Sequence, residues 1–133
     1  MNPAWVFDAS ALLAWALREP GFERAARALA MGAAVSAVNW AETLSKLADV
    51  NQVPEDSVSE FERRGVFLTL AIHPFDADAA LDIARLRPST RAAGLSLGDR
   101  ACLALARSLK LPVLTADRAW TKVHVGVKIE TIR

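Results

Sequence analysis

Short apolar runs alternate with helical segments along this chain, and that alternation constrains the fold more than any other feature. The runs are too short and too apolar for a sheet with one face in water, so they indicate parallel strands covered on both faces. The predicted class is therefore α/β. The five runs are Trp5-Val6-Phe7, Ala34-Val35-Ser36, Leu70-Ala71-Ile72, Pro112 to Thr115, and Val127-Lys128-Ile129.

Helical spacing of apolar residues fills the gaps between these runs. Pro88 is expected to end the helix that precedes it, and the Ser-, Thr-, Arg- and Gly-containing connection from Arg87 to Gly98 is expected to be mobile. The predicted helices run up to Leu17, from Phe22 to Met31, through Trp40 to about Val50, from Pro54 onward, from Asp76 to Leu86, and from Leu97 to Leu109.

The length of the chain, 133 residues, fits a single domain over 1–133 with a real core. The hydrophobic fraction of 53% and a mean hydropathy of +0.20 suggest apolar surface for a partner or a second copy, or else a densely packed helical core. No apolar run approaches the roughly 18 to 20 residues that span a bilayer, and no basic segment followed by an apolar stretch opens the chain. We therefore expect a cytoplasmic protein.

Several common chemistries fit this sequence poorly. The single cysteine, Cys102, falls in an apolar helix and is interpreted as core packing, so neither a disulfide framework nor thiol catalysis is expected. The two histidines, His73 and His124, are too few and too isolated for a zinc site. There is also no Gly-rich phosphate loop with its lysine.

Four carboxylates lie at positions where strands give way to helices or where helices begin: Asp8, Glu42, Asp99 and Asp117. Ligands of open α/β sheets bind beyond the carboxyl ends of the strands, so acids from distant parts of the chain can meet there. Carboxylates brought together repel one another unless a cation neutralises them, and Mg²⁺ or Mn²⁺ prefers such oxygen ligands. The pattern points to metal-assisted phosphodiester chemistry.

Two of these acids follow strands directly and have a hydroxyl two residues away. Ser10 follows Asp8, and Thr115 precedes Asp117, so each hydroxyl can support the same site as its acid. Each acid alone is equally well explained as a helix N-cap. Asp76 and Asp78 also follow a strand and are assigned to capping, because Pro74 redirects the chain there.

The other two acids lie on helices. Glu42 shares a face with Asn39 and Lys46, outside the apolar stripe, and a surface pair with Lys46 is its simplest alternative role. Asp99 is surrounded by apolar neighbours, so it needs a partner, a cap or a cation. Its alternatives are capping near Gly98 or an ion pair with a nearby arginine, Arg100 or Arg118.

Charge is distributed unevenly along the chain. Residues 1–66 have six Lys and Arg against nine Asp and Glu, a net charge of −3, whereas residues 67–133 have ten against six, a net charge of +4. A basic half can attract phosphates to an acidic site. The candidate RNA contacts are Arg85, Arg87, Arg91, Arg100 and Arg118, although ordinary solvated arginines explain any one of them as well.

Over essentially its whole length the chain resembles the PIN-domain family, and within it the VapC-type toxins of toxin-antitoxin modules. The resemblance rests on four motifs whose order and spacing agree with the family. They are Val6-Phe7-Asp8-Ala9-Ser10-Ala11-Leu12, Glu42 in the helix after the second strand, Leu95-Ser96-Leu97-Gly98-Asp99, and Val113-Leu114-Thr115-Ala116-Asp117.

The resemblance implies a three-layer fold with a five-stranded parallel sheet flanked by helices, and a Mg²⁺- or Mn²⁺-dependent endoribonuclease. Asp8 and Asp99 would hold the principal metal, and Glu42 and Asp117 would complete it, bind a second ion or position water. Ser10 and Thr115 would support them. A metal-activated water would attack the phosphodiester in line.

The resemblance also implies a homodimer and a cognate antitoxin, VapB-like, that blocks the acidic site. A groove for an amphipathic partner helix is expected from segments that are equally compatible with the core. The residues of these segments are Leu12, Leu13, Trp15 and Leu17, and Val58, Phe61 and Phe67.

The sequence leaves three other functions open. Two keep the PIN fold: a nuclease of RNA processing or decay instead of a toxin, and a catalytically silent scaffold, which the presence of all four acids disfavours. The third is an Asp-dependent phosphoryl-transfer domain with Asp8 as nucleophile. Such domains place a second Asp two residues later, where this chain has Ser10.

Overall fold

The computed structural model describes residues 2–50 and 52–133, so Met1 and Asn51 of the predicted 1–133 domain lie outside the described residues. Strands and helices alternate through the chain as the apolar pattern predicts. The elements are β1 (Trp5–Phe7), α1 (Ala9–Leu17), α2 (Phe22–Ala30), β2 (Ala33–Ser36), α3 (Ala37–Asp49), α4 (Pro54–Arg63), β3 (Leu70–His73), α5 (Ala77–Arg85), α6 (Arg87–Thr90), α7 (Leu97–Leu109), β4 (Val113–Thr115) and β5 (Ile129–Thr131), with 3-10 turns at Val66–Leu68 and Arg118–Lys122.

The five strands form one parallel sheet in the order β3-β2-β1-β4-β5, which confirms the predicted α/β class and five-stranded sheet. β1 is central: Phe7 pairs with Val35 of β2 and with Leu114 of β4. Because all strands run the same way, their carboxyl ends share one edge. The residue after β1, the start of α3 after β2 and the segment after β4 therefore meet at that edge.

Helices cover both faces of the sheet. Alternate strand residues point to opposite faces, so Trp5 and Phe7 pack with α1, α2 and α3, whereas Val6 packs with α5 and α7. Both clusters contain fully buried side chains, which explains why the strand runs are apolar without interruption. A densely packed core therefore accounts for part of the high hydrophobic fraction.

The predicted bounds of the last strand are wrong, and one predicted connection is partly helical. The last strand is Ile129–Thr131 instead of Val127 to Ile129, because Ile129 pairs with Val113 while Lys128 contributes its carbonyl to the Val113 N–H just before the strand. The helix before Pro88 ends at Arg85 with Leu86 as its C-cap, within one residue of the prediction. Pro88 itself lies in the first turn of α6, where a missing N–H costs nothing, so the connection from 87 to 98 is partly helical.

The residues suggested for a partner groove are mostly core. Leu12, Leu13, Trp15 and Phe61 are buried, and Val58 is half-buried. Trp15 stacks on Phe61 with ring centroids 5.8 Å apart. Of the suggested set only Leu17 and Phe67 are exposed. Among the described residues no helix is both long enough and apolar enough to cross a membrane.

Candidate active site

Asp8 lies at the carboxyl end of the central strand, and its carboxylate is almost completely enclosed. The residue is 5% exposed. The Ser10 hydroxyl donates to Oδ1 at 2.7 Å, the Thr115 hydroxyl donates to Oδ2 at 2.6 Å, and the Ala11 N–H donates to Oδ1 at 2.9 Å as an N-cap of α1. Asp8 is therefore both the cap of α1 and the acid that two hydroxyls hold at the sheet edge.

Burial raises the pKa of Asp8 from 3.8 to about 6. The hydrogen bonds from Thr115, Ser10 and the Ala11 backbone lower this pKa, and the negative charge of Asp99 raises it. Desolvation is the largest of these effects, and no Lys or Arg among residues 2–50 and 52–133 forms a salt bridge with Asp8. Above pH 6 the fold therefore carries a buried negative charge that a bound cation would stabilise.

Asp117 is connected to Asp8 through the two hydroxyls. The Asp117 N–H donates to Thr115 Oγ1 at 3.1 Å, and the Ala116 N–H donates to Ser10 Oγ at 2.8 Å. The exposed Asp117 carboxylate accepts from the Ala119 N–H at 2.9 Å and caps the 3-10 turn that follows. Ser10 and Thr115 thus tie the ends of β1 and β4 together, and their role in supporting a metal site stays a prediction.

Glu42 reaches the site from α3 and lies against the beginning of α7. Its Oε1 accepts from Asn39 Nδ2 at 2.8 Å, and the same nitrogen donates to the Gly98 carbonyl at 2.9 Å. A Cβ placed on Gly98 would lie 2.5 to 2.6 Å from the Glu42 carboxylate, so only glycine leaves this room. The predicted pair with Lys46 does not form among the described salt bridges.

Asp99 occupies the first turn of α7, next to Gly98. It forms a capping box in which its Oδ2 accepts from the Ser96 N–H at 3.0 Å and its N–H donates to Ser96 Oγ at 3.1 Å. Burial raises the pKa of the Cys102 thiol, one turn further along, and the charges of Asp8, Asp99 and Glu42 raise it further. All three acids therefore act electrostatically on the same part of α7, and Cys102, fully buried in the core, has its predicted packing role.

The donor set fits a hard divalent cation. Within residues 2–50 and 52–133 none of the four acids is in a salt bridge. Glu42, Asp99 and Asp117 each also keep one carboxylate oxygen that receives no hydrogen bond from this part of the chain. All these donors are oxygens, as such a cation prefers. The space beside Gly98, which a Cβ would occupy in any other residue, is filled by the Glu42 carboxylate.

The acids are not closed around a single point. Over the described ranges no three Asp, Glu, His or Cys side chains are close enough to hold one ion as they stand. Asp99 and Asp117 are turned toward their capping bonds, which are local and solvent-exposed.

The five arginines considered for RNA binding differ in what they contact. Three are engaged within the protein: Arg85 pairs with Asp82 at 2.7 Å, Arg100 donates to the Ile83 carbonyl, and Arg118 donates to the Arg133 carbonyl. The remaining two, Arg87 and Arg91, are exposed around α6. These two are therefore the best placed of the five for a contact with a phosphate backbone.

Asp76 is a cap, as predicted. Its carboxylate accepts from the Ala79 N–H at 2.9 Å at the start of α5. Asp78 lies exposed in the first turn of the same helix. Asn39 and Gly98 also belong to this site, although neither was predicted to do so. One pattern pointed to Asn39: it precedes Glu42 by three residues, which places both on one face of α3.

Comparison with solved structures shows the same fold at low sequence identity. The VapBC complex of Salmonella typhimurium bound to DNA is 20% identical, with a TM-score of 0.75 over 99% of this chain and 100% of that one. VapBC2 from Rickettsia felis, bound to a promoter DNA fragment, is 17% identical, with a TM-score of 0.72 over 96% and 97%. VapC20 of Mycobacterium tuberculosis, described as a toxin that cleaves the sarcin-ricin loop, is 16% identical, with a TM-score of 0.71 over 93% and 98%.

Sequence comparison gives the family. A search of functionally curated proteins found no significant match. The family model described as "PIN domain" matches residues 5–125, which include all four acids and both supporting hydroxyls. Since the match extends over most of the chain, the protein belongs to the PIN-domain family.

Proposed function

We propose that this protein is a Mg²⁺- or Mn²⁺-dependent endoribonuclease that acts as the toxin of a VapBC-type module, cutting RNA to inhibit translation and growth. The observation that carries the proposal is the uncompensated Asp8 carboxylate, buried at the edge where Glu42, Asp99 and Asp117 also lie. The similarity to VapC structures, one of them an RNA-cleaving toxin, supports the choice of substrate.

Each residue of the site would have a role that depends on where it lies. Asp8 and Asp99, whose charges already interact, would hold the principal cation, and Glu42 and Asp117 would complete its ligands, hold a second ion or orient water. Ser10 and Thr115 would keep the Asp8 carboxylate in one orientation. A bound divalent cation would supply an activated water and stabilise the charge that develops on the attacking and leaving oxygens of the phosphodiester.

The proposed partners follow from surfaces outside the acidic edge. A groove of about 510 Å³ between α1, α3 and α4, bounded by Ala16, Val53 and Phe61, could receive a segment of a VapB-like antitoxin. Ile72, Phe75 and Leu81 are exposed by 40 to 52% on or beside the edge strand β3 and α5, which would suit a second copy in a homodimer.

The test is cleavage of total cellular RNA by metal-stripped protein, with and without added Mn²⁺, for the wild type and Asp99→Asn. We expect discrete fragments that require both Mn²⁺ and the wild-type acid. Equal cleavage by the variant would place the activity elsewhere. Absence of cleavage by both, over a range of RNA substrates, would favour a scaffold function instead.

A further inference from the structure

The Asn39 side chain is held in a single orientation between two helices. It is 1% exposed, and its Nδ2 donates one hydrogen to Glu42 Oε1 at 2.8 Å and the other to the Gly98 carbonyl at 2.9 Å. Rotating the amide by 180° would turn its oxygen toward two acceptors, a carboxylate and a carbonyl. The hydrogen-bond network therefore fixes which end of the amide faces Glu42.

The other end of the same amide has no partner. Asn39 Oδ1 is buried and receives no hydrogen bond from the described residues. A buried, unpaired polar oxygen destabilises a fold, and an apolar side chain of similar volume would avoid that cost. Helix packing alone therefore does not account for an asparagine here, whereas the orientation of Glu42 does.

Gly98 acts on Glu42 from the opposite side. Because a Cβ at Gly98 would lie within 2.6 Å of the Glu42 carboxylate, the glycine lets that carboxylate rest on the α7 backbone, one residue before Asp99. Asn39 holds the carboxylate there and also fastens α3 to α7 through the Gly98 carbonyl. The Asn39 amide and the missing side chain of Gly98 thus both determine where the Glu42 carboxylate lies.

We propose that Asn39 is a positioning residue that fixes the Glu42 carboxylate beside Asp99, in space that Gly98 leaves open. The inference rests on the proposed function, since it assigns Asn39 a role in the same cation site. Removing the amide should weaken cation binding and slow cleavage while the fold remains intact. An outer hydrogen-bond partner of a metal ligand typically contributes roughly 10- to 100-fold to affinity or activity.

The experiment compares Asn39→Leu with Thr43→Val, a matched control on the same helix. Thr43 is also fully buried, and its hydroxyl donates at 2.8 Å to the Asn39 backbone carbonyl without contacting Glu42. Mn²⁺ affinity of metal-stripped protein, the Tm without metal, and kcat and KM for RNA are measured, with Glu42→Gln as reference. For Asn39→Leu we expect Mn²⁺ binding weaker by about tenfold or more and a lower kcat with little change in KM.

Gly98→Ala tests the position of the Glu42 carboxylate without replacing Asn39. Gly98 lies in the first turn of α7, where alanine does not disfavour helical backbone, so the metal-free Tm should stay close to that of the wild type. The added methyl would displace the flexible end of Glu42 and lower Mn²⁺ affinity. This variant decides the matter if Asn39→Leu does not fold.

The outcomes separate this inference from the function on which it rests. A wild-type protein that neither binds Mn²⁺ nor cuts RNA overturns the proposed function. If the wild type does both, then wild-type Mn²⁺ affinity in the folded Asn39→Leu and Gly98→Ala proteins overturns the positioning role alone. An equal loss of affinity in Thr43→Val would assign the effect to α3 packing, and would also overturn it.

Discussion

Two corners of the acidic edge hold their carboxylates by different means. In the hydroxyl corner, formed by Asp8, Ser10 and Thr115, adjacent strands bring the residues together, and both hydroxyls contact the Asp8 carboxylate within 2.8 Å. In the amide corner, formed by Asn39, Glu42 and Gly98, two helices meet, and a single side-chain amide makes the connection. The first corner is fixed by strand pairing and the second by helix packing.

The two corners also differ in how deeply their carboxylates are buried. Asp8 is 5% exposed, so burial raises its pKa to about 6 despite two hydroxyl donors. Glu42 is only half-buried and remains partly solvated. We therefore expect changes in the hydroxyl corner to alter both stability and activity, and changes in the amide corner to alter mainly activity.

Asp8→Asn should have the largest effect on cleavage. The change removes the buried charge but keeps a similar shape, so RNA cleavage should fall by roughly 10²- to 10³-fold, equivalent to several kcal/mol of lost stabilisation by the cation. Single-turnover cleavage with Mn²⁺ measures it. The matched control is Asp76→Asn, which also alters a helix-capping Asp that follows a strand and should cut RNA at the wild-type rate.

The same buried charge should make stability depend on pH. The folded state raises the pKa of Asp8 from 3.8 to about 6, so it binds the proton more tightly than the unfolded chain does, and the free energy of unfolding falls as pH rises through this window. Above pH 6 the penalty should reach about 3 kcal/mol. Urea titrations in EDTA, for the wild type and Asp8→Asn, measure it. A difference between the two proteins that is the same at pH 4 and pH 7 would contradict the assignment.

Thr115→Val should affect the hydroxyl corner less strongly. It removes the 2.6 Å hydrogen bond that lowers the pKa of Asp8, so that pKa should rise further and the fold should lose about 1 to 3 kcal/mol. Thr90→Val is the control, because Thr90 is equally buried and donates to the Leu86 carbonyl away from the site. A carboxyl NMR titration of Asp8 that moves equally in both variants would refute the specific role of Thr115.

Asp117→Asn should have a smaller effect than Asp8→Asn, the change of pH or Thr115→Val. Asp117 is exposed, and asparagine can also cap the 3-10 turn, so the free energy of unfolding should change by less than about 0.5 kcal/mol. Loss of one solvated charge should lower cleavage by about tenfold, or about 1.4 kcal/mol, well short of Asp8→Asn. The ratio of the two cleavage rates measures the contrast, and equal losses would remove the distinction between buried and exposed acids.

The sequence predicted the hydroxyl corner well because its geometry follows from strand pairing. Once Trp5-Val6-Phe7 and Val113-Leu114-Thr115 are parallel neighbours, Asp8 and Thr115 must emerge at the same edge. The family model confirms the PIN-domain resemblance, and the sheet topology confirms the predicted α/β fold. The metal-ligand and catalytic roles of the four acids stay predictions.

The amide corner could not be predicted in the same way. The contact between Asn39 and Gly98 spans 59 positions of the chain and depends on how closely α3 approaches α7, which no local pattern encodes. The boundary of β5 was missed for a similar reason, since pairing with Val113 decides it and Val127 is as apolar as Ile129. Likewise, the sequence could not distinguish groove residues from core residues, because the two kinds differ only in how they pack.

Calorimetric titration of Mn²⁺ into metal-stripped protein tests the central claim most directly, with wild type, Asp8→Asn, Asp99→Asn and Asp76→Asn measured side by side. The account predicts saturable binding by the wild type and Asp76→Asn, and its loss in Asp8→Asn and Asp99→Asn. Binding that persists unchanged in Asp8→Asn would contradict it, because the buried carboxylate at the end of β1 would then not be a ligand.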